Sequence, residues 1–304
     1  MLQQQTLNQA PSFRRTVSIL AFGFAAMFLV QYGAYTLIAY MARYARVWFT
    51  MDTWTLLNDL CLYGMGLPVL LLVGQLLPST GQLPLKPKRS LPPLAFGRAL
   101  CVGYAGMIVA NLACALVLGL IRLALGRSPV QDLVGQMLDT LSPAGALLLV
   151  VLVPAIMEEL VFRGYLYKKL IRFGEGPYIL VSALFFGTFH ANFEQFLYAF
   201  VLGAWLAYLV CRTGTVLYGM MIHLFVNFYS ANVLVQIGDG MVASVLSWVM
   251  LLVVGLGCVL FLEMRRSLFV RPALVRGSLV KQVVCNPGMI VWLLVFLAVS
   301  IWSF

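Results

Sequence analysis

Long apolar runs are the feature of this sequence that most restricts its fold. The hydrocarbon core of a membrane is about 30 Å thick, so a helix needs about 20 apolar residues to cross it. We therefore predict an all-α polytopic membrane protein, a bundle of about eight or nine transmembrane segments. The candidate spans are residues 17–41, 55–77, 96–121, 144–170, 178–191, 195–211, 215–235, 242–263 and 287–303.

The composition agrees with a membrane protein. Hydrophobic residues make up 62% of the chain and charged residues only 10%, whereas soluble domains carry about a quarter charged residues. We expect a single transmembrane domain over residues 1–304. The six cysteines are scattered and form no CxxC pair, which argues against a disulfide framework or a zinc–cysteine site.

The basic residues indicate an orientation. With the N-terminus in the cytoplasm and the spans alternating, sixteen of the 20 lysines and arginines lie at cytoplasmic span ends, as the positive-inside rule requires. The net charge of +10 then reflects topology and attraction to anionic lipid headgroups. Because these residues are dispersed over loops, we expect the lipid bilayer as a partner and no nucleic acid.

One candidate span is too short to cross. The roughly 14 residues of 178–191 reach about 21 Å, so we predict a short helical hairpin (178–211) with its tip inside the membrane. Irregular backbone at that depth requires protein or a water-filled cavity around it. A polar cavity is therefore expected at His190.

A further helix is predicted before the fourth span. Ser128 and Pro129 suit an N-cap and a first helical position, and apolar residues follow at helical spacing as far as Leu141. We expect residues 129–141 to form an amphipathic helix on the membrane surface.

Few polar side chains interrupt the spans. A charge at the bilayer centre costs at least about 2.5–3.5 kcal/mol, so each one suggests function or pairing. Asp59 has no partner charge on its own span, and we expect it to meet a backbone or hydroxyl donor. The polar residues inside spans are Asp59, Glu158, Glu159, Arg163, His190, His223 and Asn227, which include both histidines of the chain.

Four of these groups fall in one layer. Counted from the cytoplasmic helix ends at about 1.5 Å per residue, Glu158 lies about 14–15 Å deep and His223 about 12 Å deep. His190 and Asn227 both lie about 18 Å deep. Three segments therefore bring polar groups to a common site.

Spacing divides the roles of the two glutamates. Neighbouring residues of a helix point about 100° apart, so Glu158 and Glu159 are expected to face different ways. Glu159 and Arg163 are at i and i+4 and should pair, which leaves Glu158 free for the cavity. His223 and Asn227 also share a face. A carboxylate, two imidazoles and a carboxamide suit water activation and oxyanion stabilisation.

Three short motifs resemble those of the CAAX-protease and bacteriocin-processing (CPBP) family. EELVFR (158–163) is similar to its EExxxR motif, FGTFH (186–190) to FxxxH and HLFVN (223–227) to HxxxN. The resemblance covers about 140–235, a CPBP-like catalytic core. Residues 1–130 and 240–304 are then additional membrane helices.

This resemblance implies an intramembrane glutamic endopeptidase without a cofactor, in a bacterial plasma membrane. Its substrate would be a peptide or a membrane-anchored or lipidated protein. By resemblance, Glu158 and His190 activate the attacking water, and His223 and Asn227 form the oxyanion hole. Glu159, Arg163 and Phe186 support the site.

Three alternatives stay open. A zinc-dependent version of the same protease is conceivable because glutamate and histidine ligate zinc, although the histidines lie on different spans and no HExxH is present. A non-proteolytic immunity or scaffold protein would keep its phenotype after Glu158→Gln. A proton-coupled transporter would favour inverted repeats, and the sequence shows no second half mirroring the first.

Overall fold

The part of the chain that the structure describes is built from helices. The computed structural model describes residues 11–80, 85–126, 138–230 and 240–302, and within these ranges it contains no strand. The helices, numbered in chain order, are α1 (Phe13–Tyr44), α2 (Met51–Gly74), α3 (Pro93–Ala124), α4 (Pro143–Phe173), α5 (Glu175–Phe189), α6 (Phe193–Thr213), α7 (Leu217–Ser230), α8 (Gly240–Met264), α9 (Leu279–Val284) and α10 (Pro287–Trp302).

Six helices are long and apolar enough to cross a membrane, namely α1, α2, α3, α4, α6 and α8. The prediction of an all-α polytopic membrane protein is confirmed. Within the described residues α5, α7 and α10 have 15, 14 and 16 residues, fewer than the roughly 20 that a full crossing needs. The predicted amphipathic helix over 129–141 lies mostly outside the described residues.

Asp52 joins the first turns of α2 and α4. Its carboxylate accepts hydrogen bonds from the backbone N–H of Ser142 at 2.9 Å and from the Ser142 hydroxyl at 2.5 Å. The same hydroxyl caps α4 by accepting from the N–H of Gly145 at 3.0 Å. Asp52 also lies in the first turn of α2, where a negative charge is favourable.

Lys169 joins the other ends of the same two helices. Its side chain is buried, and a buried cation is stable only when its hydrogen bonds are satisfied. The ammonium group donates to Gly74 O at 2.9 Å, Leu77 O at 2.9 Å and Ser79 Oγ at 2.8 Å. Gly74 ends α2, and carbonyls at a helix C-terminus have no partner within the helix. α2 and α4 are thus held together at both ends.

α5 and α6 form the predicted hairpin, with observed ends at Glu175 and Thr213. Ala191 turns the chain with a φ of 52°, a left-handed conformation that costs a non-glycine residue roughly 1–2 kcal/mol. Asn192 then caps α6 by accepting from the N–H of Gln195 at 2.7 Å. This tight reversal leaves His190 at the end of α5.

The tip of the hairpin meets α3. Glu194, in the first turn of α6, pairs with Arg122 near the end of α3, with Nη2 to Oε1 at 3.1 Å. The Arg122 side chain is buried, whereas that of Glu194 is 37% exposed, so the pair is only partly removed from water. The tip of the hairpin therefore lies level with the last turn of α3.

An aromatic cluster packs α1 and α10 against α4 and α5. Phe24 of α1 stacks on Phe185 at 4.4 Å between ring centroids and on Phe162 at 5.6 Å. Trp292 of α10 approaches Phe24 at 5.9 Å and donates a hydrogen bond to the Thr188 hydroxyl at 2.7 Å. Each aromatic pair contributes about 0.5–1.5 kcal/mol beyond its buried area, so this cluster fixes the helices that carry the polar layer.

Candidate active site

The glutamate pair lies at the start of a widened helical turn. Residues Glu159–Tyr165 form a π-helical segment of α4, a feature that is rare and often found at functional sites. Two buried hydroxyl groups of α5 support this segment. Ser182 donates to Phe162 O at 2.8 Å, and Tyr178 donates to Arg163 O at 3.4 Å. The turn is thus held by the neighbouring helix.

Glu159 and Arg163 form the predicted ion pair. Nη1 of Arg163 donates to Oε1 of Glu159 at 2.8 Å, and both side chains are 0% exposed. The guanidinium also lies over the Phe186 ring, with Cζ 4.1 Å from the centroid. Among the described residues, Nε and Nη2 of Arg163 have no hydrogen-bond partner, so the cation–π contact is a main part of their surroundings.

His223 bridges the two glutamates. Its Nδ1 lies 3.1 Å from Oε1 of Glu159, and its Nε2 lies 3.7 Å from Oε2 of Glu158. The sequence alone did not indicate that the two carboxylates would approach separate edges of one buried ring. The π turn begins at Glu159, and the imidazole carries its nitrogens on separate edges, so one ring reaches both carboxylates.

Two glycines make room for the ion pair. A Cβ at position 219 of α7 would lie 2.8 Å from Oε2 of Glu159. A Cβ at position 203 of α6 would lie 3.0 Å from the Phe186 ring and 3.1 Å from Nη2 of Arg163. These close approaches explain Gly203 and Gly219, which the sequence analysis did not single out, because spacing alone does not reveal what a missing Cβ would meet.

His190 is oriented by the backbone of its own helix. Its Nδ1 lies 2.9 Å from Phe186 O. A carbonyl only accepts, so Nδ1 carries the hydrogen and Nε2 of the neutral ring is an acceptor. The Phe186 ring stands edge-on between the histidines, 5.2 Å from His190 and 5.5 Å from His223. Phe186 therefore spaces the two imidazoles.

Asn227 lies one turn beyond His223 on α7. Its Nδ2 donates to Val150 O in the first π segment of α4, at 3.3 Å. An amide nitrogen carries two hydrogens, so this bond leaves one for another acceptor. Asn227 is thus fixed against α4 about two turns before Glu158.

Asp59 of α2 belongs to the same region, which corrects its sequence interpretation. Its carboxylate lies within electrostatic range of Glu158, and Tyr63, one turn away, lies within range of both. Oδ2 of Asp59 is buried without a hydrogen-bond partner among the described residues, instead of meeting a backbone or hydroxyl donor. Asp59 is on a different span from the motifs, so no spacing rule connected it to Glu158.

The carboxylates and imidazoles of the described site are not arranged as a metal centre. Within the described ranges, no group of three or more His, Cys, Asp or Glu side chains is arranged to hold a metal ion. Zinc sites in proteins use three or four such ligands at about 2.0–2.3 Å. The observed layout is two carboxylates on either side of one imidazole, with the second imidazole bonded to its own helix.

The fold defines the class of protein: this chain is an integral, multi-pass membrane protein. Residues 140–229 match the family model described as Type II CAAX prenyl endopeptidase Rce1-like. This match supports the resemblance to the CPBP/CAAX protease family, and the matched segment contains every predicted site residue. The match supports a membrane protease of the CAAX endopeptidase type. Searches of curated proteins and of solved structures gave no match to the chain.

Proposed function

We propose that this protein is a glutamate-dependent intramembrane endopeptidase. The observation that carries the proposal is the convergence of α4, α5 and α7, which puts His223 against both glutamates and His190 within electrostatic range of Glu158. Glu158 and His190 bind and activate a water molecule. The substrate is a peptide bond in a membrane-associated or lipidated protein or peptide.

The reaction divides among the four groups. Glu158, with the Nε2 acceptor of His190, takes a proton from water, and the hydroxide oxygen forms a bond to the carbonyl carbon of the substrate. The carbonyl oxygen becomes an oxyanion, which accepts hydrogen bonds from Asn227 Nδ2 and His223 Nε2. Because Nδ1 of His223 already donates to Glu159, the ring donates from Nε2 as the doubly protonated imidazolium. The C–N bond then breaks, and the proton held by Glu158 passes to the leaving amine.

The remaining site residues position these groups. Glu159 holds His223 through Nδ1 and is itself neutralised by Arg163. Phe186 contacts both imidazoles and the guanidinium. In this proposal Glu159, Arg163 and Phe186 do not touch the substrate.

Comparative mass spectrometry of membrane peptides and secreted fragments tests the function and identifies the substrate together. Cells carrying the wild type or Glu158→Gln are compared, and Glu263→Gln, at an exposed glutamate of α8, is the matched control. Loss of a general base slows reactions by about 10²–10⁴-fold, so fragments present with the wild type and the control should be absent with Glu158→Gln. A folded Glu158→Gln protein that yields the wild-type fragments contradicts the proposal and favours a scaffold or immunity role.

A second measurement addresses the zinc-dependent alternative. The purified protein is dialysed against a chelator, and its metal content and cleavage rate are measured. We expect the cleavage rate to be unchanged in metal-free protein. Loss of cleavage that added zinc restores would replace the glutamic mechanism with a metal-dependent one.

The orientation in the membrane is part of the proposal. We infer a cytoplasmic N-terminus from the distribution of basic residues. Tags at Ser128 and Arg271 should be accessible from opposite sides of the membrane, with the Arg271 tag in the cytoplasm. Tags accessible from the same side would contradict this topology.

A further inference from the structure

A second polar feature lies beside His190, outside the segment that matches the protease family. α1 and α2 border a cavity of ≈ 260 Å³ whose wall includes His190 at the hairpin tip. A liquid water occupies about 30 Å³, so the cavity has room for roughly nine waters or a short piece of extended peptide. Its position at the proposed catalytic histidine makes it a candidate substrate subsite.

Two carboxamides face this cavity. Nε2 of Gln31 on α1 donates to Oδ1 of Asn58 on α2 at 3.2 Å. Their other amide atoms, Gln31 Oε1 and Asn58 Nδ2, have no hydrogen-bond partner among the described residues. Neither atom is among the fully buried polar atoms that lack a partner, and both residues line the cavity. The pair thus offers one free acceptor and one free donor.

The rest of the cavity wall is uncharged. Aromatic rings of Phe28, Tyr32 and Tyr35 form much of it, and among the described residues that border it there is no Asp, Glu, Lys or Arg. A charged group brought against this wall would lose its hydration and find no counter-charge on the wall itself, at a high desolvation cost. Tyr32 is 46% exposed, so the cavity opens to the outside of the bundle on this side.

A peptide strand inside a membrane has a specific need. Each of its backbone amides must find a hydrogen-bond partner, because the surrounding lipid offers none. A donor and an acceptor side by side match the N–H and C=O of an extended backbone, in the way that a sheet edge binds an added strand. The Gln31–Asn58 pair supplies this match within the cavity that His190 borders.

We propose that the cavity is a substrate subsite in which Gln31 and Asn58 bind the backbone of an extended, uncharged peptide segment next to the scissile bond. This inference rests on the proposed function. It gives the enzyme a preference for substrates without Asp, Glu, Lys or Arg on this side of the bond. Both residues lie outside residues 140–229, so the preference comes from this chain's own N-terminal helices.

Photocrosslinking of a defined probe tests the subsite without hydrolysis. The full chain with Glu158→Gln and with p-benzoylphenylalanine replacing Tyr35, a cavity-wall residue, is placed in nanodiscs. The probe is an acetylated ten-residue peptide amide of alanine, glycine and leucine with a fluorophore at one end. Crosslink yield against probe concentration gives an apparent Kd, and a second probe has lysine at its fifth position.

Gln31→Leu and Asn58→Leu should each weaken binding of the uncharged probe by about threefold to tenfold, the value of one hydrogen bond. The matched control is Asn111→Leu, at an exposed amide of α3, which should leave the Kd unchanged. The double variant Gln31→Asn with Asn58→Gln keeps both amides and should retain most of the affinity. The lysine probe should bind on the order of 30-fold more weakly.

Equal affinities for the two probes would overturn the subsite, as would Leu variants that bind like Asn111→Leu. The probe comparison needs no change at Gln31 or Asn58, so it decides the matter even where a Leu variant unfolds. Crosslinking that depends on Gln31 and Asn58 in a protein whose wild type cleaves nothing would leave the subsite standing and remove the protease function. If the wild type cleaves its substrate but crosslinking does not depend on Gln31 or Asn58, the protease function stands and the subsite is removed.

Discussion

Two apolar helices of this protein, α4 and α8, respond to the membrane in different ways. α4 carries six charged residues, is interrupted by two π segments and packs among its neighbours. α8 is a regular α-helix whose one charge, Glu263, comes next to its end. In their most apolar stretches, 44% of the residues of α4 are buried, against 6% for α8.

The contrast shows where a membrane protein tolerates charge. α8 faces mostly outward, where lipid offers no partner to a polar group. α4 obtains partners from the helices around it: Arg163 neutralises Glu159, His223 of α7 contacts both glutamates, and Ser182 of α5 supports the π turn. The same substitution should therefore have different effects in the two regions.

The largest difference in stability between the two regions is expected when an arginine is replaced. Arg163→Met removes the cation that pairs with Glu159, leaving His223 as its ion-pair partner among the described residues and the buried carboxylate poorly compensated. Breaking a buried pair in this way costs about 3–5 kcal/mol. Arg265→Met, at an exposed residue just after α8, should change the free energy of unfolding by less than about 0.5 kcal/mol. Denaturant titration in mixed micelles measures both, and equal losses would contradict the assigned role of the ion pair.

Glycine-to-alanine substitutions should give the next largest difference in stability between the two regions. Gly219→Ala places a methyl group against Oε2 of Glu159, and overpacking of this kind costs about 1–3 kcal/mol. Gly255→Ala in α8 meets no atom within 4 Å and should be neutral or slightly stabilising, because alanine is the better helix former. Thermal unfolding in detergent compares the two. In Gly219→Ala the cleavage rate should also fall, since Glu159 positions His223, and full activity would argue against that positioning.

Serine is expected to give the smallest difference. Ser182→Ala removes a buried hydrogen bond to the π turn, worth about 1 kcal/mol. Ser244→Ala in α8 removes a hydroxyl at an exposed position that donates to Gly240 O one turn earlier. This change should alter stability by less than about 0.5 kcal/mol. Hydrogen exchange at the backbone amides of residues 159–165 should become faster in Ser182→Ala and stay unchanged in Ser244→Ala. Unchanged exchange would mean that the π turn does not depend on α5.

Much of this arrangement was predictable from local patterns. The spans follow from apolar run length, and the hairpin follows from one run being too short to cross. The Glu159–Arg163 pair follows from i,i+4 spacing, and it forms although the segment is π-helical.

The errors have a common physical origin. A π turn depends on hydroxyl groups of another helix, Ser182 and Tyr178, and no local period encodes them. For the same reason the shared contact of both glutamates with His223 was missed. Asp59 was interpreted as solitary because its neighbour Glu158 lies about 100 residues away in sequence, a proximity that only tertiary packing creates.

The Lys169 hydrogen bonds impose an order on the making of this protein. The carbonyl of Gly74 receives its donor from a residue 95 positions later in the chain. At a synthesis rate of about 5–20 residues per second, α2 emerges roughly 5–20 s before that lysine exists. During this interval the end of α2 keeps its carbonyls exposed to headgroups, water or the insertion machinery. The helix that borders the catalytic layer can dock only after the helix that carries the glutamates has been made.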